Sequence, residues 1–62
     1  KLQEFILSSM PGVSDVLAKR LLENFGSVER VFNALEIELS KVKGVGEKLA
    51  NKIKKLLTNK YN

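Results

Sequence analysis

One twelve-residue phrase occurs twice in this chain, so any fold that accommodates it must present the same local structure at two places. The first copy is Met10-Pro11-Gly12-Val13-Ser14-Asp15-Val16-Leu17-Ala18-Lys19-Arg20-Leu21. The second is Val42-Lys43-Gly44-Val45-Gly46-Glu47-Lys48-Leu49-Ala50-Asn51-Lys52-Ile53. Gly12/Gly44, Val13/Val45, Leu17/Leu49 and Ala18/Ala50 are identical, and Asp15/Glu47, Arg20/Lys52 and Leu21/Ile53 keep their character. Each copy reads as a glycine corner that opens directly into an amphipathic helix, with basic residues one turn on. Amides at such a corner and at a helix N-terminus point toward an anion, and glycine removes the side chain that would hold a phosphate away. Two corners at one fixed offset can grip two phosphates at once, which makes nucleic acid the leading partner.

Sixty-two residues allow a single domain, 1–62, with one modest core. Cysteine and histidine are both absent, which excludes disulfide staples, the usual zinc sites and any mechanism that needs an imidazole or a thiol. No metal and no cofactor is expected. A core this small without staples needs close helix packing or a partner subunit. No apolar run approaches the roughly 18 residues of a membrane span; near the start the longest is Phe5-Ile6-Leu7. Nothing resembles a signal peptide. The first residue is Lys1 rather than methionine, and the expectation is an intracellular domain (cytoplasm or nucleoid, or nucleus) excised from a longer protein.

Charge is unevenly distributed along the chain. Residues 1–40 carry four basic side chains against six acids, a balance of −2, whereas residues 41–62 carry seven lysines against Glu47 alone, a balance of +6. Scattered lysines make a solvated surface. An excess concentrated around the second glycine corner reads instead as a footprint for a polyanion.

Helical periodicity covers nearly the whole chain, and strand-like alternation is absent. Leu2, Phe5, Ile6 and Met10 predict a first short apolar face, closed by Pro11-Gly12. A second helix is expected from Ser14, whose hydroxyl caps free amides while Asp15 complements the dipole; it buries Leu17, Ala18, Leu21, Leu22 and Phe25 and ends at Gly26. Ser27 caps a third helix carrying Val28, Val31 and Phe32. A fourth carries Leu35, Leu39 and Val42 and stops at Gly44-Val45-Gly46. The fifth runs from about Glu47 to Thr58 and buries Leu49, Ala50, Ile53, Leu56 and Leu57. The fold class is all-α: five helices forming two helix-hairpin-helix motifs joined by a connector helix, with hairpins near 10–14 and 42–46.

The candidate contact residues follow from the two corners. Gly12, Val13 and Ser14 form the first, with Lys19 and Arg20 on the helix behind it; Lys43, Gly44, Val45 and Gly46 form the second. Lys48, Lys52 and Lys55 are spaced i, i+4, i+7 and fall on one stripe, clear of the face formed by Leu49, Ile53 and Leu56. A solvated helix would mix signs to form Glu–Lys pairs, and this stripe has only Glu47 near it.

Met10–Leu22 and Val42–Leu56, joined through Phe25-Gly26-Ser27-Val28, resemble a tandem helix-hairpin-helix domain. The hairpin pattern is hydrophobic-x-Gly-hydrophobic-Gly, and Val42-Lys43-Gly44-Val45-Gly46 matches it throughout. The stretches Leu2–Leu7 and Leu22–Phe32 are similar to the C-terminal domain of the XPF/Hef group of structure-specific DNA endonucleases, particularly archaeal ones. The C-terminal domain of the bacterial excision nuclease UvrC carries a similar phrase and stays open as an alternative. The resemblance implies a non-sequence-specific grip on duplex DNA, with the hairpins meeting phosphates on either side of the minor groove, and a preference for forks or flaps. It also implies dimerisation through this domain, as a homodimer or with a paralogue, with a C-terminal aromatic set against the partner; Tyr61 is the residue in that place. Catalysis in the family belongs to a separate nuclease domain with an acidic motif containing Glu-Arg-Lys. Glu29-Arg30-Val31 is not that motif, so this stretch is expected to be no enzyme by itself.

The chain departs from the pattern at three places. Ser14 stands for the second glycine of the first hairpin, and Val16 stands where the second repeat has Lys48. A Cβ at Ser14 crowds an approaching phosphate, and Lys19 and Arg20 are placed to restore part of that grip. Leu35 occupies a position where relatives have a capping serine, which weakens the start of the fourth helix. A protein-interaction module with little DNA binding is the competing reading, and the +6 half with an intact Gly44-Val45-Gly46 argues against it. A helix-hairpin-helix glycosylase needs a catalytic residue and a base pocket beyond the hairpin, for which this chain has no room. RNA in place of DNA stays open, because backbone grips discriminate poorly.

Overall fold

The computed structural model describes residues 2–58. Among them are five helices: α1 (Leu2–Ser8), α2 (Asp15–Phe25), α3 (Val28–Asn33), α4 (Glu36–Ser40) and α5 (Gly46–Thr58). This is the all-α class that the periodicity predicts. α1 packs on α2 and α4 packs on α5, while α3 links the two pairs and touches α1 and α2.

Cap chemistry explains most of the boundaries. Ser14 stands in extended conformation before α2, and its Oγ accepts the Leu17 N–H at 3.3 Å. Gly26 ends α2 in the left-handed region (φ +96°), donating its N–H to the Leu22 carbonyl at 2.7 Å. Ser27 begins α3 by accepting the Arg30 N–H at 3.1 Å. A second cap on α3 comes from outside its own sequence: Gln3 of α1 accepts the Val28 N–H at 2.9 Å. α4 has only half a capping box. Leu35 offers no side-chain acceptor, but its own N–H donates to Glu38 Oε1 at 2.9 Å.

Most of the repeated phrase is explained by the core. Val13/Val45, Ala18/Ala50 and Leu21/Ile53 are all buried, and Leu7, Val31, Ala34, Leu39 and Val42 complete the cluster. Leu17/Leu49 pack against its rim. Three sequence expectations need correction. In α1 the buried side chain is Leu7, while Leu2 and Phe5 are 72% and 69% exposed and Ile6 is exposed as well. Four of the seven residues of α1 are apolar, so periodicity selects no face; the helix is rotated so that Leu7, whose carbonyl accepts the Met10 N–H at 3.1 Å, points inward. In α5 Leu56 is exposed and Leu57 half-buried, because Ile53 and Leu57, four residues apart, take the inner face. α4 is shorter than the pattern Leu35–Leu39–Val42 implies: Leu35 is an exposed cap residue, and Val42 is buried beyond the helix end.

One lysine serves the fold rather than the surface. Lys54 of α5 is half-buried, and its Nζ donates to the Phe32 and Ala34 carbonyls at 3.1 and 2.8 Å. A cation on the last carbonyls of α3 satisfies acceptors that the helix itself leaves open and complements its dipole.

Candidate nucleic-acid interface

The two corners share their first turn. Gly12 and Gly44 have φ of +87° and +91°, values that only glycine adopts readily. The next residue closes each turn in the same way: Val13 N–H donates to the Met10 carbonyl at 3.1 Å, and Val45 N–H to the Val42 carbonyl at 3.0 Å. Val13 and Val45 are both candidate contact residues, and the structure sets them in the core cluster. Their side chains are 5% and 6% exposed and their amides are already used, so they shape the corners from inside.

Each corner is seated on the helix of the other. A Cβ at Gly12 would stand 3.0 Å from Leu49 Cδ1, and a Cβ at Gly44 would stand 2.9 Å from Leu17 Cδ2. Leu17 and Leu49 are equivalent positions of the repeat, so the contact is reciprocal. At Gly44 a second group crowds the same space, Arg20 Nη1 at 2.9 Å. Close approach and positive φ therefore both require the first glycine of each corner.

The second positions differ. Gly46 has φ +68°, and a Cβ there would meet nothing within 4 Å. Its missing side chain leaves open space beside the N-terminus of α5. Ser14 has φ −80° and spends its hydroxyl on the Leu17 amide. Gly46 has no side chain to cap its helix, so the first-turn amides of α5 are available to an outside acceptor where one of α2 is not.

The basic side chains divide into two groups. Lys43 in the second corner and Lys48, Lys52 and Lys55 on α5 are exposed, as is Lys19 on α2. Arg20 is half-buried, and its Nη1 donates to the Lys43 carbonyl at 3.0 Å. The structure thus ties Arg20 to the second corner, whereas the sequence reading set it behind the first. Lys41, exposed at the end of α4, adjoins the same corner and was not singled out from sequence. Its signal was its place just before the hairpin, inside the +6 half. Asn51 turns away from the lysine stripe toward α4, donating to the Glu36 carboxylate at 3.3 and 3.5 Å.

Tyr61, the expected dimer contact, lies outside the described residues. Among the described residues no three acidic, histidine or cysteine side chains cluster in a way that would hold a metal ion, and no helix is long and apolar enough to cross a membrane.

Comparison with known proteins identifies the arrangement. The XPF of Aeropyrum pernix superimposes with a TM-score of 0.94 at 51% identity, covering 98% of this chain and 31% of that one. The same protein solved in complex with DNA gives 0.93, again at 51% identity, covering 98% of this chain and 30% of that one. A candidate ATP-dependent RNA helicase of Methanocaldococcus jannaschii, MJ1505, is 52% identical over 59 residues, which are 95% of this chain and 8% of the helicase. The UvrABC system protein C of Syntrophus aciditrophicus is 41% identical over 54 residues, or 87% of this chain and 9% of that protein. The chain therefore spans less than a third of each relative. Residues 5–57 match a family model built on paired hairpins of this kind, and the chain belongs to the SAM-like helix-hairpin-helix tandem family.

Proposed function

We propose that this domain grips the backbone of duplex DNA without reading sequence, prefers forked or flapped structures, and serves a larger repair or fork-processing nuclease or helicase-nuclease. Catalysis is assigned to other parts of that parent. The observation that carries the reading is the second hairpin: open space at Gly46, uncapped amides on α5, and exposed Lys43, Lys48, Lys52 and Lys55 around them. The likeness to an XPF solved with DNA supports it from outside the chain. The superposition on an XPF over 98% of this chain at 51% identity supports an XPF-like parent, with an excision nuclease, up to 50% identical over 44 residues, as the second reading. The proposal includes dimerisation through the same domain. Exposed Leu2, Phe5 and Ile6 on α1 offer an apolar surface for it, and Tyr61 remains a proposed contact. Sedimentation at high micromolar concentration reads the oligomeric state directly, and a monomer would exclude the homodimer.

Titration of a fork, a plain duplex, a single strand and a duplex RNA at several salt concentrations tests the function. With about four lysines on phosphates, log K against log salt should fall with a slope of about −3 to −4, at roughly −0.9 per contact. The affinity should be indifferent to base sequence. Tight binding with a slope near zero would sink the backbone grip, and preference for the RNA duplex would redirect it toward RNA.

The first hairpin supplies a smaller test. Ser14→Gly removes both the crowding Cβ and the cap on Leu17 N–H, at a stability cost of only a few tenths of a kcal/mol. Duplex affinity should rise by about 2–10-fold, the value of one added hydrogen bond. No change would mean that the backbone does not reach this corner.

A further inference from the structure

We infer that Arg20 is a positioning residue of the second hairpin rather than a phosphate contact of the first. The inference rests on the reading of that hairpin as a backbone grip. Arg20 is carried by α2, in the first copy of the repeat, yet its Nη1 donates to the carbonyl of Lys43 at 3.0 Å. The same nitrogen stands 2.9 Å from where a Cβ of Gly44 would be, beside Leu17 Cδ2 at 2.9 Å. The guanidinium and Leu17 thus form a floor under the Lys43–Gly44 peptide. A charged donor beneath the Lys43 carbonyl fixes which way that peptide faces, with its oxygen toward α2. The amide of Gly44 belongs to the same planar unit and is fixed on the opposite side of it.

The repeat supplies an internal control. Lys52 is the equivalent of Arg20, and Leu49 is the equivalent of Leu17. By symmetry Lys52 would lie under Gly12, yet among the described residues only Leu49 comes within 4 Å of a Cβ there, and Lys52 is exposed. The two basic positions have therefore separated in role. Arg20 braces the second corner, and Lys52 is free to face a polyanion. A guanidinium suits the bracing task because its planar fork is held with little loss of rotamer freedom per hydrogen bond.

The two roles give different salt dependences. A side chain that neutralises a phosphate takes about 0.9 from the slope of log K against log salt when it is lost, whereas a side chain that braces a loop lowers affinity and leaves the slope alone. We would titrate a random-sequence 20-base-pair DNA duplex with the wild-type chain, R20Q and K52Q, and follow amide hydrogen exchange in the free proteins. R20Q should weaken binding by about 3–10-fold with an unchanged slope, and should speed exchange of the Val45 amide, which closes the corner. K52Q should make the slope shallower by about 0.9 and leave Val45 exchange as in wild type. R20M, which keeps a long stem over Gly44 without the donor, should repeat the R20Q result if glutamine lowers the melting point. A slope shallower by about 0.9 in R20Q would make Arg20 a direct contact and overturn the inference, as would unaltered affinity. If the wild-type chain does not bind the duplex, the proposed function fails. The exchange measurement then still decides the brace, and unchanged Val45 exchange in R20Q and R20M overturns it.

Discussion

Gly44→Val is expected to lower the melting temperature of the domain by about 15–25 °C and to abolish duplex binding. Gly44 has φ +91°, where a side chain costs about 1–2 kcal/mol and a β-branched one more. The new Cβ would also overlap Leu17 Cδ2 and Arg20 Nη1, each 2.9 Å away, so Leu17 must move and the bond to the Lys43 carbonyl is lost. The sum is about 3–4 kcal/mol, in a chain whose whole stability at ~0.05–0.15 kcal/mol per residue is about 3–9 kcal/mol. Each kcal/mol moves the melting point of a domain this size by about 4–8 °C. Gly46→Ala is the contrasting variant. Its Cβ meets nothing within 4 Å among the described residues, so the cost is that of the positive φ of +68° alone, about 1–2 kcal/mol. Its effect should fall on binding, because the methyl group occupies the space that a phosphate would enter. Thermal melts and duplex titrations of both variants separate the two glycines. Equal melting points would refute the packing assigned to Gly44.

Lys48→Glu combined with Lys52→Glu should weaken duplex binding on the order of 100-fold at 0.1 M salt. Removing two contacts accounts for about 60-fold from a slope of roughly 0.9 each, and the reversed charges add repulsion. Both side chains are exposed on α5, away from the buried face set by Ala50 and Ile53, so helical circular dichroism should stay near wild type. The comparison is best made with Lys19→Glu alone. Lys19 is exposed on α2, whereas changing Arg20 with it would also disturb the second corner. If Lys19→Glu proves the more damaging change, the second hairpin is not the main anchor.

How much of this could be read from sequence depends on what kind of signal each residue gives. Ser14, Gly26 and Ser27 act through their own neighbours in the chain, so their caps were legible from residue type and spacing. The repeat itself announced two equivalent corners. Leu7 was missed because a seven-residue helix with apolar groups on more than one side has no single hydrophobic face, and tertiary packing sets its rotation. The long-range bonds of Arg20, Gln3 and Lys54 were not legible for a different reason. Each makes a hydrogen bond to backbone more than 20 residues away, and a backbone carbonyl or amide leaves no mark in the sequence. At the candidate site, glycine gave an ambiguous signal. Gly44 is demanded by packing and Gly46 is not, yet the letters are the same.

Under the proposed function, with both corners on the DNA, the reciprocal seating of Gly12 on Leu49 and Gly44 on Leu17 has a mechanical meaning. The span between the two corners is set by core contacts and not by the length or pliancy of α3, so the domain works as a caliper whose jaws are locked. Under the proposed function, any mismatch between that span and the phosphates of a regular duplex must be taken up by the nucleic acid. DNA that is nicked, branched or flapped bends at little cost where a continuous duplex resists. Selection among DNA structures would then arise from stiffness on the protein side alone, with no residue assigned to recognise a junction.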